Sequence, residues 1–425
     1  MAHFGLIFPP GPSHVTATSS IGRELIKRGH RATAFNFVDV KELATKEGVE
    51  FCPIGVQTHP LGSVPYNLEK LSHMGGIEFV RFGTKLARFE ITTLLEEGIA
   101  AMRDVGVTAL LVDQGQPAGS TMAERLNVPF ASICNALHSD PDPLVPPPTF
   151  GWGPAKSTFD QVVNKLAWRC FDLAWSPLLR HVNTYRKRWN LKPLESFYET
   201  FSPVLELAQE TVDFDMPRKN LHTQFHYIGV IHRTYASKIS FPFDKLDGRP
   251  VIYASLGTVY DNASLFEMIA KACWQLDLQL IITFGSKRNT SRYDLPGSPI
   301  VVDYAPQSEV LKHVALTICH SGHNTVLDSL EAGVPVIGIP VQLGDRGIAA
   351  RLQYSGAGVY LKLNGLTTLK LVSAIQDILF TSSYRKAAER ISNSLKLAGG
   401  ESHAADLIEQ KLVLGCSCSE MVRNL

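Results

Sequence analysis

The stretch CHSGHNTVLDSLEAGVPVIGIP at residues 319–340 carries the residue types that hold a phosphate. An apolar run ends at His320, a glycine-containing turn follows, and a helical pattern starts near Asn324. The first amides of such a helix point unpaired N–H groups beyond the strand end, and the helix dipole adds to their preference for an anion. Thr325 offers a hydroxyl donor; Asp328, one turn further on, offers a carboxylate that can accept from a ribose diol. A glycine turn alone is also an ordinary strand-to-helix connection with a buried histidine, so the pattern by itself leaves both readings open. Two Asp-x-Asp pairs, Asp140 with Asp142 and Asp213 with Asp215, have the spacing of a metal-binding pair. Prolines around the first, and no matching domain around the second, favour plain turn residues, and no metal is expected.

These groups need a scaffold, and the hydrophobic pattern supplies one. Residues 3–11 are a short apolar run ending in Pro and Gly, 13–28 have helical periodicity, and 31–37 read as the next strand. Further strands are expected at 109–112 and 130–133, with a helix at 118–126 between them, which is the alternation of parallel βαβ units. Long helical patterns rich in Phe, Trp and Leu at 80–105 and 162–189 are suited to line an apolar cleft. The turn-rich segment FPFDKLDGRP, 241–250, marks a linker. Beyond it the rhythm resumes, with strands at 251–255, 279–284, 300–302, 315–319 and 334–339. The expected fold is therefore α/β, with two doubly wound domains at 1–240 and 251–405 facing across a cleft and a C-terminal helix and tail at 406–425.

Length and composition agree with this division. A chain of 425 residues exceeds the size at which one core usually stops growing. With 45% hydrophobic and 19% charged residues, it has the make-up of a soluble globular protein. A formal net charge of +1 provides no basic field for nucleic acid. Seven scattered cysteines, an odd number, predict reduced thiols in a cytosol, and the close pair Cys416 and Cys418 lies in a polar tail with no assigned role. With no signal-like or membrane-spanning run, the reading is cytoplasmic.

The stretch at 319–340 resembles the signature of the family-1 glycosyltransferases, GT-B-fold enzymes that use UDP-sugars. The resemblance rests on Tyr304, Ala305, Pro306 and Gln307 for an aromatic-Ala-Pro-Gln opening, on His320, Gly322, Asn324 and Thr325 for His-x-Gly-x-Asn-Ser/Thr, and on Asp328 for the acidic residue. Gly333, Val334, Pro335 and Pro340 complete it. It implies that Tyr304 stacks on uracil with Gln307 nearby, that His320 with Asn324 and Thr325 holds the diphosphate, and that Asp328 binds the ribose. Ser255, Gly257 and Thr258, in YASLGT, are similar to the family's turn beside the phosphates. The opening FPPGPSHVTATSSIGRELIKRGHRAT looks like the family's N-terminus, which makes His14 the catalytic base and Asp113 its partner. Taken alone, His14 is a loop histidine and Asp113 a strand-end cap.

Two positions depart from the family pattern. Asp345 matches an Asp-Gln that contacts sugar hydroxyls, but Arg346 replaces the Gln, and His323 stands where relatives often carry Trp. The segments ICNALHSDPDPLVPPPTFGWG, 133–153, and GIAAR, 347–351, are similar to the bacterial subgroup that glucosylates carotenoid end groups. The resemblance thus implies an inverting, metal-independent transfer of a sugar, with glucose favoured, from a UDP-sugar to a hydroxyl of a small apolar acceptor. The UDP-sugar is a co-substrate and no separate cofactor is implied. A lipophilic acceptor would bring peripheral membrane contact. A UDP-sugar epimerase of the same fold, or a non-catalytic nucleotide-sugar-binding relative, remains an alternative.

Overall fold

The computed structural model describes residues 1–72, 74–219, 221–232, 239–256, 263–284 and 295–415, organised around two sheets. The first comprises β1 (His3–Ile7), β2 (Arg31–Asn36), β3 (Glu50–Pro53), β4 (Ala109–Asp113), β5 (Phe130–Cys134), β6 (Glu206–Ala208) and β7 (Phe225–Tyr227), in the order β3-β2-β1-β4-β5-β6-β7. The second comprises β8 (Val251–Ser255), β9 (Gln279–Thr283), β10 (Ile300–Val302), β11 (Val314–Cys319), β12 (Val336–Gly338) and β13 (Gly358–Tyr360), in the order β10-β9-β8-β11-β12-β13. Neighbouring strands pair in parallel throughout. Their central strands are apolar and buried on both faces, as a sheet covered by helices on each side requires. In each sheet the strand order reverses between the first strand and the fourth, β1 beside β4 and β8 beside β11, which opens a crevice at their carboxyl ends.

Strands β3, β6, β7 and β13 were not anticipated. Each is three or four residues long, EFCP, ELA, FHY and GVY, too short to show a period, and exists because a neighbouring strand pairs with it. The expected helix at 80–105 divides into Gly76–Thr93, a π-helical turn Leu94–Gly98, and Ile99–Asp104. The helix expected at 162–189 runs Thr158–Arg188 and starts at a capping box, in which Ser157 Oγ accepts from the Asp160 amide at 3.2 Å and Asp160 Oδ2 accepts from the Ser157 amide at 2.9 Å. At the far end of the chain, helix Gly400–Ile408 returns to the first sheet. Its Ala404, Ala405 and Ile408 share a core with Phe4, Ile21 and Leu25, and Arg28 pairs with Asp406 and Glu409. Cys416 and Cys418 lie outside the described residues; Cys52, Cys134, Cys170, Cys273 and Cys319 are free thiols. Among the described residues no helix is long and apolar enough to cross a membrane.

The two halves are joined by a mixed apolar and ionic contact. Leu137, Phe214 and Val230 from the first pack with Cys319, Val326, Ile348 and Leu352 from the second. The Gly347 amide donates to Pro148 O at 3.0 Å, and a Cβ on Gly347 would fall 2.2 Å from that oxygen, so the approach requires glycine. Arg351, fully buried in helix Asp345–Ser355, donates from Nε to Asp215 Oδ1 at 2.6 Å across the interface. The expectation of plain turn residues holds for Asp142, whose two oxygens accept from the Leu144 and Lys219 amides, each at 2.7 Å. It fails for Asp215, which is buried and also accepts from Arg218 Nε at 2.8 Å and Tyr227 OH at 2.9 Å. Turn position alone gave no sign of the arginine that reaches it from residue 351.

Candidate active site

Both crevices hold the residues that sequence motifs single out. In the first, Pro12 starts helix Pro12–Lys27 directly after β1, which fixes the backbone of its first turn and sets His14 at the strand end. Asp113 closes the neighbouring strand β4, in a register that aligns Ile7 with Val112. The two side chains meet, His14 Nδ1 lying 2.7 Å from Asp113 Oδ2. Asp113 is fully buried; its other oxygen accepts from the Gly115 amide at 2.7 Å, and Asn135 Nδ2 donates to Oδ2. A carboxylate so held accepts a hydrogen bond from Nδ1–H and leaves Nε2 as the ring's acceptor, with 29% of the His14 side chain open to solvent. Burial opposes charging the ring, but the charge and hydrogen bond of Asp113, assisted by Glu90, prevail and raise its pKa above the usual histidine value.

Glu90, on helix Gly76–Thr93, carried no motif and was not anticipated. Burial in the cleft pushes its carboxyl up to about 7, while a hydrogen bond from Gln116 and the nearby His14 pull the other way. It therefore takes up its proton across the neutral range and then ceases to favour the imidazolium. Glu90→Gln should lower the His14 pKa. With the neutral ring as the base, the role the family resemblance implies for it, the acid limb of kcat/KM should move to lower pH, with the plateau within ~10-fold of the parent. A pH–rate profile checks this, and a limb that stays in place or moves up would remove Glu90 from the site.

In the second crevice, Cys319 at the end of β11 is in register with Ser255 of β8 and Gly338 of β12. Ser321, at φ 66°, bends the chain, and Gly322 caps helix His323–Glu331, one residue earlier than the sequence suggests. A Cβ at Gly322 would fall 2.4 Å from His320 Nε2, so the glycine lets the ring fold over the turn. His320 Nδ1 and Ser321 Oγ are buried with no hydrogen-bond partner among the described residues, beside the helix start that carries Asn324 and Thr325. Orphaned polar atoms at a helix N-terminus fit an anionic ligand. Gln307 Nε2 donates to Asp328 Oδ2 at 2.7 Å, and Gln307 Oε1 accepts from Tyr253 OH at 3.2 Å. Tyr304 is exposed after β10, and Ala305 packs beneath it against the cluster of Tyr253, Ile300 and Val310. Asp345, at the start of its helix, accepts from the Gln342 and Val341 amides at 2.9 and 3.4 Å, and Arg346 next to it is exposed. Burial raises the Asp345 pKa, against the pull of His320 and the two amides. Ser255 is buried at its strand end; Gly257 and Thr258 lie outside the described residues.

His323, the position that departs from the Trp of plant relatives, turns into the contact between the two halves. It is buried, and its Nδ1 lies 3.2 Å from Asn135 O. Asn135 thus touches His323 of one half through its backbone and Asp113 of the other through its side chain, and Gln209 Nε2 fixes Asn135 Oδ1 at 3.0 Å. Sequence reasoning passed over Asn135 and Gln209 because neither belongs to a motif of its own. The atoms of His138, Glu210 and Asp215 lie within 4.8 Å of one another, a metal-ligand set by type. Arg351 and Arg218 already place positive charge on Asp215, which makes that cluster an ionic one. A cavity of about 600 Å³ beside Lys245, Gln279 and Pro299 opens at the amino ends of β9 and β10, away from the crevices where doubly wound sheets bind ligands.

Two doubly wound sheets, with a histidine–carboxylate pair in one crevice and orphaned polar atoms at a helix start in the other, have the architecture of a GT-B-fold glycosyltransferase. The profile of the UDP-glucoronosyl and UDP-glucosyl transferase family matches residues 100–396, and the chain belongs to that family. It is 32% identical to a zeaxanthin glucosyltransferase of Pantoea ananas, over 98% of this chain and 97% of that protein. A second zeaxanthin glucosyltransferase, from Pseudescherichia vulneris, is 28% identical over 97% of this chain and 98% of its own length. Among solved structures, a glycotransferase of kitacinnamycin superimposes with a TM-score of 0.74 at 18% identity, covering 97% of this chain and 99% of its own.

Proposed function

We propose that the chain transfers glucose from UDP-glucose to a hydroxyl of a small apolar acceptor of the carotenoid type, with inversion and without a metal. The observation that carries this reading is the His14–Asp113 pair, whose free Nε2 opens on the cleft opposite the orphaned His320 Nδ1. In the proposed step, His14 Nε2 takes the acceptor proton while the acceptor oxygen bonds to the anomeric carbon. The bond from that carbon to the diphosphate breaks, and UDP leaves with the electron pair. His320 and the amides preceding Asn324 and Thr325 stabilise the departing charge, so fixed donors do the work a cation does elsewhere. Tyr304, Gln307 and Asp328 serve the nucleoside, and Ser255, Gly257 and Thr258 the phosphates. The names of the two zeaxanthin glucosyltransferases support glucose and a carotenoid-like acceptor.

The test is mass spectrometry of products from a small panel of UDP-sugars against pooled lipophilic alcohols and phenols. A glycoside formed from UDP-glucose in the presence of EDTA is the expected result, and manganese-dependent turnover would overturn the metal-free mechanism. Calorimetry without metal should show UDP binding that His320→Ala weakens. For the donor sugar, the exposure of Arg346 supports a guanidinium turned to solvent, with recognition carried by Asp345. Arg346→Gln should therefore change the turnover ratio of UDP-glucose to UDP-glucuronate by less than ~10-fold, about 1.4 kcal/mol. A larger swing toward UDP-glucose would assign donor reading to Arg346.

A further inference from the structure

Helix Thr158–Arg188 is apolar on two faces. One is buried, with Trp168, Phe171, Leu178 and Leu179 in the core of the first domain. The other carries Phe159, Val162, Leu166 and Leu173 at helical spacing, and these remain 75%, 49%, 55% and 69% exposed. Four large apolar side chains on one solvent-facing stripe are more than scattered surface residues, and a single helix face needs only one apolar side to pack.

The charges on the helix are sorted as well. Lys165 and Arg169 lie on the exposed stripe. The acids of the same stretch are turned to other tasks, Asp160 in the capping box and Asp172 accepting from the Phe197 amide at 3.3 Å. Helix Gly76–Thr93 extends the patch. Three contacts join the two helices: Arg88 to Pro177 O at 3.2 Å, Thr92 to His181 at 2.9 Å, and, just beyond its end, Glu96 to Tyr185 at 2.8 Å, each 89 residues apart. The helices therefore run parallel, and the same offset carried back places Ile77 level with Leu166 and Val80 level with Arg169. Ile77 and Val80 are exposed, as are Arg81 and Lys85. About 15 Å further along that helix, at 1.5 Å per residue, Glu90 stands beside His14.

We propose that this apolar and basic face, formed by Phe159, Val162, Leu166 and Leu173 with Ile77, Val80, Lys165 and Arg169, docks the protein on an anionic lipid surface. Apolar side chains enter the headgroup region and the basic groups pair with lipid phosphates, the arrangement of an interfacial helix. Helix Gly76–Thr93 then leads from the lipid surface to the base, a route for an acceptor dissolved in the bilayer. That last link rests on the apolar-acceptor reading above; the docking itself rests on the stripe and its charges.

Co-sedimentation of the whole chain with phosphatidylcholine vesicles containing about a quarter phosphatidylglycerol should show binding that weakens with salt and on phosphatidylcholine alone. The double variant Leu166→Ser, Leu173→Ser should bind at least ~10-fold more weakly, and Lys165→Glu with Arg169→Glu should lose the preference for anionic vesicles. Both variants should keep the parent's melting temperature and its turnover on a water-soluble phenol. Parent protein that stays in the supernatant with both vesicles overturns the proposal. So does a parent dimer that Leu166→Ser, Leu173→Ser renders monomeric without a change in vesicle binding, since the stripe is then covered by a second copy. Vesicle binding that persists while no lipophilic alcohol in detergent is glycosylated overturns the acceptor reading and leaves the docking surface standing.

Discussion

Replacing His14 by alanine should lower transfer by at least ~100-fold, about 2.7 kcal/mol in barrier height, while UDP affinity stays nearly unchanged. An alcohol is a weak nucleophile at neutral pH, so its proton must leave as the new bond forms. Among the described residues, the group proposed to receive it is Nε2 of a ring whose other nitrogen is engaged by a buried carboxylate. The two effects separate because His14 follows β1 of one sheet, while His320 and the helix start proposed to hold the diphosphate follow β11 of the other. The measurement is steady-state turnover on an alcohol acceptor beside calorimetric titration with UDP. Near-normal turnover would remove His14 as the base, and an equal fall in UDP affinity would mean that the substitution disturbs the cleft as a whole. The raised pKa of His14 gives a second signature: activity should fall as pH drops through it, since the protonated ring accepts nothing.

Much of this site was legible because both halves sit where parallel strands end and helices begin, and such junctions leave compact sequence marks. His14 follows a proline–glycine turn, His320 precedes a glycine turn, and Asp113 closes an apolar run. What was not legible acts across the fold. Glu90 belongs to a helix whose amphipathic pattern says nothing of the histidine it faces, and Asn135 joins the two halves from a loop. The segments at 133–153 and 347–351, which sequence likeness set apart separately, touch each other at Pro148 and Gly347. No periodicity reveals a bond between residues this far apart, and the short edge strands were missed for the same reason.

The second large effect lies in that contact. Arg351→Ala should destabilise the protein by about 3 kcal/mol, the low end for a broken buried ion pair, because Arg218 still pairs with Asp215. Arg351 is fully buried, with Asp215 at 2.6 Å and Glu210 at 4.0 Å, and its Nη1 donates to Gly347 O at 3.3 Å. Burial works against the charge on Asp215; Arg351 first and Arg218 second overcome it, holding the carboxyl well below its usual range. A lowered folded pKa contributes stability that is present above the unfolded value of ~3.9 and lost as pH falls through the folded one. Without Arg351 the folded pKa rises toward the unfolded one, so below pH ~3.9 the variant should lose less stability than the parent and the gap between the two should narrow in acid. Urea denaturation at neutral pH and at about pH 3, below the unfolded carboxyl value, measures both effects. The variant Arg351→Met, which keeps much of the side-chain volume and leaves the Arg218–Asp215 pair in place, separates charge from packing: a loss close to that of Arg351→Ala is expected if the broken ion pair is the cause. An Arg351→Ala protein with the parent's urea midpoint would show that the ion pair gives no net hold between the two domains.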